Sequence, residues 1–161
     1  MRATERIAGV HRDTATRLMV RIGNGCERMM AEQFRGLNCR HLQLDEIWGF
    51  VGKKERRLNI EDDRSRVGDF WTFVALDTDS RFIPTFRIGK RDAEATRQFV
   101  ADLASRVTNR VLISSDAMPA YVDAIDRAFG TQVDYGTIVK SYEAEAIGPG
   151  RYSPPRVTRV I

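Results

Sequence analysis

Two aspartates, Asp45 and Asp116, are the residues of this chain best suited to do chemistry. Asp45 lies inside an apolar, β-like run over residues 41–51, and Asp116 directly follows a second apolar run over residues 111–115. A carboxylate beside a buried strand is held rigidly, and two carboxylates brought together from separate strands can share divalent metal ions. The pattern therefore predicts a site for metal-dependent phosphoryl transfer on nucleic acid.

Each aspartate also has a purely structural interpretation. Asp45 could pair with one of the many arginines, and Asp116 could cap the helix that opens at Pro119. For Asp116 the structural and the catalytic interpretations are compatible. Glu46 is left out of the site, because neighbouring side chains of a regular strand point to opposite faces of the sheet.

Positive charge is concentrated at the front of the chain. The formal net charge of the 161 residues is +4. Residues 1–40 contain eight arginines and four acidic residues, so the whole surplus lies in this segment. Concentrated arginine suits a phosphate backbone. The alternative is a solvated, basic helical face without a nucleic-acid partner.

The same segment has the pattern of a helix-turn-helix. Residues 2–7 and 11–21 read as helices joined by a turn at Gly9, and the second helix would enter the major groove of DNA. The candidate DNA contacts are Arg12, Asp13, Thr14, Thr16 and Arg17. The alternative is an ordinary helical hairpin that packs on the main domain. Residues 23–25, Gly-Asn-Gly, predict a break or hinge before the helix continues over residues 26–34.

From residue 41 onward, strands alternate with helices. The predicted elements are strands over 41–51, 70–76 and 82–88, a helix capped by Asp92, a strand over 111–115, a helix over 119–129 and a strand over 132–139. This order, with acidic residues at strand ends, predicts an α/β (α+β) ribonuclease-H-like mixed sheet with flanking helices. Pro84 predicts that the third strand is an edge strand or contains a bulge. Trp48 and Trp71 are assigned to the core.

Composition supports one domain with a small appendage. Hydrophobic residues make up 42% of the chain, enough for a core. We divide the chain into a helix-turn-helix-like segment over 1–40, a ribonuclease-H-like core over 41–142 and a loose tail over 143–161. No run approaches the roughly 20 apolar residues of a membrane span, and no signal-peptide pattern opens the chain. We therefore expect a soluble, cytoplasmic protein with no membrane partner.

Three segments resemble DDE transposases of bacterial insertion sequences. The segments are Leu44-Asp45-Glu46-Ile47-Trp48, Trp71-Thr72-Phe73-Val74-Ala75-Leu76-Asp77, and Ser114-Ser115-Asp116 followed by Tyr121. The resemblance is strongest to the Insertion Sequence One family. It spans roughly residues 2–142 and includes the helix-turn-helix at the front.

The resemblance implies a role for each matched carboxylate. Asp45 and Asp116 would be the first and second catalytic carboxylates and would bind Mg²⁺ or Mn²⁺. Water would first nick the transposon end, and the freed 3′-hydroxyl would then attack target DNA. The implied partners are double-stranded DNA of the terminal repeats and of the target, and the resemblance leaves homo-oligomerisation open.

The chain departs from the family pattern after its fifth strand. The family's third carboxylate is a glutamate on a later helix, whereas here only Glu143 and Glu145 follow, before a stretch rich in proline and glycine. A supporting helix before the helix-turn-helix is also missing, and Ala117 stands where the family has glycine. These departures predict a transposase truncated at both ends and inactive alone. The alternative function is a non-enzymatic DNA-binding protein that occupies transposon ends as an inhibitor.

Overall fold

The chain divides into two compact units, residues 1–36 and residues 37–161, and each has its own architecture. The computed structural model describes residues 2–143 and 156–160, with side chains at residues 2–139 and 159–160. In the described part of the chain, no helix is long and apolar enough to cross a membrane.

The first unit is a pair of helices joined by a tight turn. Helix α1 spans Arg2–Ala8 and helix α2 spans Arg12–Gln33. Gly9 has a φ of +62°, a left-handed conformation that glycine adopts at little cost. The side chain of His11 caps α2 by accepting a hydrogen bond of 3.3 Å from the Asp13 backbone N–H. The short turn predicted at Gly9 is therefore present.

Helix α2 is continuous through Gly23, Asn24 and Gly25, where the sequence predicted a break or a hinge. Glycine inside a helix costs about 1 kcal/mol relative to alanine, because it loses more backbone freedom on folding. That cost weakens a helix without breaking its hydrogen-bond ladder. The prediction of a break was therefore wrong.

The second unit is built on a mixed five-stranded sheet. Its elements are strands β1 (His41–Val51), β2 (Gly68–Asp77) and β3 (Phe86–Gly89), helix α3 (Ala93–Arg106), strand β4 (Val111–Asp116), helix α4 (Pro119–Phe129) and strand β5 (Val133–Ile138). A separate two-stranded sheet joins β6 (Lys140–Glu143) and β7 (Arg156–Val160). The spatial order of the main sheet is β3-β2-β1-β4-β5.

Strand directions identify the fold class. Strands β1, β2 and β3 form an antiparallel meander, whereas β4 runs parallel to β1 and β5 runs parallel to β4. Each parallel strand follows a crossover helix, as parallel pairing requires. This order and these directions are those of the ribonuclease-H-like fold, so the predicted mixed α/β class is confirmed.

One face of the sheet is covered by α3 and α4, which share its hydrophobic core. The largest side chains with almost no exposure include Leu42, Leu44, Phe73, Phe99, Leu103, Ile113, Tyr121 and Ile125. Leu42 and Leu44 alternate along β1 with Gln43 and Asp45, which lie on the other face. The core therefore fixes which side chains of β1 can reach solvent.

Strand β3 and the C-terminal segment differ from the sequence-based assignment. The strand begins at Phe86 rather than at residue 82, since Pro84 has no N–H for the ladder. It lies at the sheet edge, as Pro84 predicted. Residues 156–160 form β7 although a loose tail was predicted over 143–161, and residues 144–155 lie outside the described part.

The excursion between β1 and β2 is tied to the sheet by Glu55 and Lys90. Glu55 Oε2 accepts a hydrogen bond of 3.1 Å from the Asp69 backbone N–H and lies 3.5 Å from Lys90 Nζ. Lys90 Nζ donates to the backbone oxygens of Val67 and Asp69, each at 3.0 Å. Gly68 stands in the middle of these contacts with a φ of +101°.

Replacing Gly68 with alanine should lower the free energy of unfolding by about 1–3 kcal/mol. The left-handed backbone disfavours a Cβ, and a Cβ at this position would also collide with the Glu55 carboxylate. Urea denaturation followed by circular dichroism measures the change. Gly136→Ala is the control, because no atom lies within 4 Å of a Cβ there. Equal stability losses in the two variants would contradict the prediction.

Candidate active site

Asp45 and Asp116 stand level with each other on neighbouring parallel strands. The β1–β4 ladder pairs Leu42 with Ile113 and Gln43 with Ser114. Each aspartate lies two residues beyond the Gln43–Ser114 pair, so both side chains leave their strands on the same side. The two residues predicted to carry the chemistry are thus brought together by the register of the sheet.

Both aspartates line one open cleft with a volume of about 400 Å³. Its other lining residues are Arg91, Ala117, Met118, Pro119, Ile138 and Val139. The cleft lies at the carboxyl ends of β4 and β5, where parallel sheets commonly bind ligands. Carboxylates, a cation and apolar walls therefore meet at one accessible place.

Each carboxylate is oriented by a backbone N–H close to it in sequence. Asp45 Oδ1 accepts a hydrogen bond of 2.9 Å from the Glu46 N–H. Asp116 Oδ1 accepts one of 3.1 Å from the Met118 N–H, at the start of α4. Asp116 thus holds the first turn before the helix while its side chain stays 43% exposed. Met118, and not Asp116, is the N-cap of α4, and no described side chain caps that helix, so the helix-cap interpretation of Asp116 was wrong.

Arg91 is the cation among the described lining residues of the cleft, and no local sequence pattern distinguishes it from the other arginines. It lies between β3 and α3, and its Nη2 is 3.1 Å from Glu46 Oε2 and 3.6 Å from Asp116 Oδ2. Its guanidinium also lies over the Trp71 ring, 4.9 Å from the centroid. Arg91 is therefore held by a carboxylate and an aromatic ring while facing the cleft.

Glu46 lies on the helix-covered side of the sheet, as alternation along the strand predicted. Its side chain is 2% exposed, and Oε1 and the Tyr121 hydroxyl are both buried with no hydrogen bond of good geometry among the described residues. Burial, and then the Glu46 carboxylate, raises the pKa of Tyr121 far above its usual range. The Tyr121 hydroxyl therefore keeps its proton beside Glu46.

The described side chains supply two carboxylates and no third metal ligand at the cleft. No group of three His, Cys, Asp or Glu side chains is arranged to hold a metal ion in this part of the chain. Glu143 belongs to β6, but its side chain lies outside the described ones, and Glu145 lies outside the described residues altogether.

The residues predicted to contact DNA lie on the exposed surface of α2. Arg17 Nη2 donates to Thr14 Oγ1 at 3.3 Å, so these two side chains share one face of the helix. Thr16 Oγ1 donates to the Arg12 backbone oxygen at 2.9 Å. The Arg12 side chain lies 3.5 Å from Asp13 and is 52% exposed. All five candidate contacts, Asp13 included, are exposed at this helix.

Both tryptophans of the chain were assigned to the core, and Trp48 is not there. It is 43% exposed on the part of β1 that extends beyond the helices. Trp71 is half-buried and packs against the edge of the core. The apolar pattern of β1 does not show which of its residues the helices cover. The extent of this cover depends on helices that are distant in sequence.

Comparison with known proteins yields a weak likeness to solved structures. No protein-family model and no curated protein matches the chain. A solved structure of the piggyBac transposase synaptic complex with hairpin DNA is similar at 15% identity, with a TM-score of 0.41. The match covers 65% of this chain and 23% of that chain. At this level the likeness carries no argument, and the fold assignment rests on strand order and direction.

Proposed function

We propose that this protein acts in DNA transposition, as a DDE-type transposase that cleaves and transfers DNA strands with a divalent metal ion. The observation that carries the proposal is the convergence of Asp45 and Asp116 from adjacent parallel strands on one open cleft. The segments around both aspartates resemble those of the Insertion Sequence One family, which supports the finer assignment.

Asp45 and Asp116 would hold Mg²⁺ or Mn²⁺. Both ions take oxygen ligands, and Mg²⁺ commonly keeps several waters and binds through one or two carboxylates plus substrate phosphates. Each aspartate uses Oδ1 for a backbone N–H, and Asp45 Oδ2 has no hydrogen bond among the described residues. The donor set therefore fits such an ion. When bound, the ion supplies stabilisation of charge on the attacking and leaving oxygens.

Arg91 would bind a phosphate oxygen of the DNA strand beside the carboxylates. Its guanidinium offers several N–H donors, and the Glu46 carboxylate holds it through contacts of 3.1 and 3.4 Å. The Glu46 side chain is buried and does not reach the DNA strand in the cleft. It would act by positioning the Arg91 guanidinium. The cleft is open, which lets a polymer pass through it.

The first unit would bind double-stranded DNA through α2. Its arginines belong to the segment that carries the whole positive surplus of the chain. Each lysine or arginine that neutralises a phosphate releases counterions, which makes binding sensitive to salt.

Arg12→Ala and Arg17→Ala should each weaken binding to duplex DNA and reduce the slope of log affinity against log salt by about 1. Fluorescence anisotropy with a labelled duplex, repeated at several salt concentrations, measures both quantities. Arg127→Ala removes the same charge from an exposed arginine of α4 that pairs with Asp123. If Arg127→Ala changed affinity and slope as much, α2 would not be the DNA-binding element.

The test of the proposed activity is nicking of a supercoiled plasmid that contains the DNA flanking this coding sequence. We expect open-circular product with Mn²⁺ and none with a chelator, a result that would overturn the expectation, drawn from the family pattern, that this chain is inactive alone. Intact plasmid under both conditions, with duplex binding retained, would overturn the enzymatic proposal and leave the second candidate.

The second candidate is a DNA-binding protein that occupies transposon ends without cleaving them. One observation favours it: the described side chains provide no cluster of three metal ligands. The two candidates differ in nicking and agree in salt-sensitive binding, so the plasmid assay separates them.

A further inference from the structure

A continuous row of cationic and aromatic side chains leads away from the carboxylate cleft. It begins at Arg91, which lies 3.6 Å from Asp116 and over the Trp71 ring. We call the row the aromatic strip, and its members are Arg91, Trp71, Trp48, Phe50 and Lys54. Trp71 and Trp48 are direct cross-strand partners in the β1–β2 ladder.

The outer half of the strip lies on the part of β1 beyond the helical cover. The rings of Trp48 and Phe50 have centroids 5.9 Å apart and are 43% and 49% exposed. Lys54 Nζ lies 5.0 Å from the Trp48 centroid and 5.9 Å from the Phe50 centroid. Two adjacent exposed aromatic rings beside a cation form an accessible surface that the core of the protein does not use.

Trp48 lies near Asp69 of the neighbouring strand. The pKa of Asp69 is lowered, first by the hydrogen bond of 3.0 Å from the Glu55 backbone N–H and further by the Trp48 indole as a donor. Asp69 is itself fixed by Glu55 and Lys90 contacts to its backbone. The Trp48 ring contacts Phe50 and Lys54 and keeps an exposed face.

We propose that the aromatic strip binds a single-stranded segment of DNA whose bases stack on Trp48 and Phe50. Proteins that bind single-stranded DNA combine cationic side chains with aromatic rings. The unpaired bases stack on the rings, and the phosphates pair with the cations. A duplex would reach only the cations of the strip, since its bases are already stacked. The inference rests on the proposed function in assuming that DNA is the ligand.

The position of the strip specifies what it does. Arg91 belongs to both the cleft and the strip, so a strand lying along the strip enters the cleft beside Asp116. The strip therefore holds an unpaired strand beside Arg91 and Asp116, while Asp45 leaves β1 on the opposite face of the sheet. Such binding is tolerant of sequence, because every base has a face that can stack.

Tryptophan fluorescence reports directly on this surface. The chain has two tryptophans, and both belong to the strip. An oligothymidylate of about ten nucleotides should quench the emission when titrated into the whole chain without metal. A duplex of the same length should quench it far less. DNA binding by the first unit has no tryptophan to report it, so the signal separates the two surfaces.

Substitutions within and outside the strip provide the decisive comparison. Phe50→Ala should weaken the quenching titration about fivefold or more, as loss of one stacking platform does. Phe86→Ala is the matched control, because Phe86 is 41% exposed on β3 and pairs with Val74 on the face away from the strip. Both positions are exposed, so both variants should fold, which circular dichroism checks.

Three outcomes would overturn the inference. The first is an absence of quenching by the oligothymidylate, and the second is an equal loss of affinity in Phe50→Ala and Phe86→Ala. The third is emission that changes with protein concentration alone and parallels dimer formation in sedimentation, which would assign the strip to a second copy of the chain. Quenching without plasmid nicking would defeat the enzymatic proposal and leave the strip standing, whereas nicking without quenching would defeat the strip alone.

Discussion

Replacing Asp45 with asparagine should weaken Mn²⁺ binding to this protein at least about tenfold, and should reduce plasmid nicking to background. Removing a residue that only hydrogen-bonds to a metal ligand commonly lowers metal affinity about 10- to 100-fold. Asp45 would be a direct ligand. Asparagine keeps the shape of the side chain but removes its charge. Titration calorimetry with Mn²⁺ measures the affinity without requiring turnover.

Asp116→Asn should have the same effect, because the two aspartates face one cleft and would share the ion. The double variant should lose little more than either single variant, since residues that act together are not additive. Asp79→Asn is the control, as Asp79 is 57% exposed in the β2–β3 turn and lies away from the cleft lining. Unchanged affinity in both Asp45→Asn and Asp116→Asn would refute the metal site.

Elements governed by local pattern were predicted closely. Strand β1 has the predicted bounds of His41–Val51, because alternating apolar residues run its whole inner half. Helix α4 also has its predicted bounds, since Pro119 suits a first helical position and Gly130 follows its end with a φ of +53°. Asp92 caps α3 by accepting a hydrogen bond of 2.8 Å from the Ala95 N–H.

Features that depend on distant contacts were missed. Arg91 joins the cleft through Glu46, which is 45 residues away in sequence, and no local pattern distinguishes it from the other arginines. The exposure of Trp48 likewise depends on where α3 and α4 stop covering β1. The level placement of Asp45 and Asp116 could be anticipated only once a parallel β1–β4 pairing was assumed.

The strand at residues 156–160 also depends on a contact with another segment, its pairing with β6. Val157 and Val160 belong to β7, and a short strand of this kind forms only with its partner β6. Proline and glycine between the two strands indicated irregular backbone, which favoured a tail over a hairpin. Turn-forming residues alone do not specify which flanking segments pair.

Replacing Phe99 with alanine should lower the free energy of unfolding by about 3–5 kcal/mol. Phe99 is fully buried on α3, and its ring centroid lies 5.7 Å from that of Phe73 on β2. The truncation removes a buried aromatic contact between the helix and the sheet and leaves a cavity that the close-packed core cannot fully close. Urea denaturation gives the change directly.

Val122→Ala is the matched control, because Val122 lies on α4 with 58% of its surface exposed. Its truncation should change stability by no more than about 0.5 kcal/mol. Helices α3 and α4 cover the sheet face opposite to Asp45, and this cover keeps Asp45 on the solvent side of β1. The Phe99 variant should therefore also bind Mn²⁺ more weakly as it unfolds. A Phe99→Ala protein as stable as Val122→Ala would mean that α3 does not pack on β2 as described, and the alternation that places Asp45 in the cleft would lose its support.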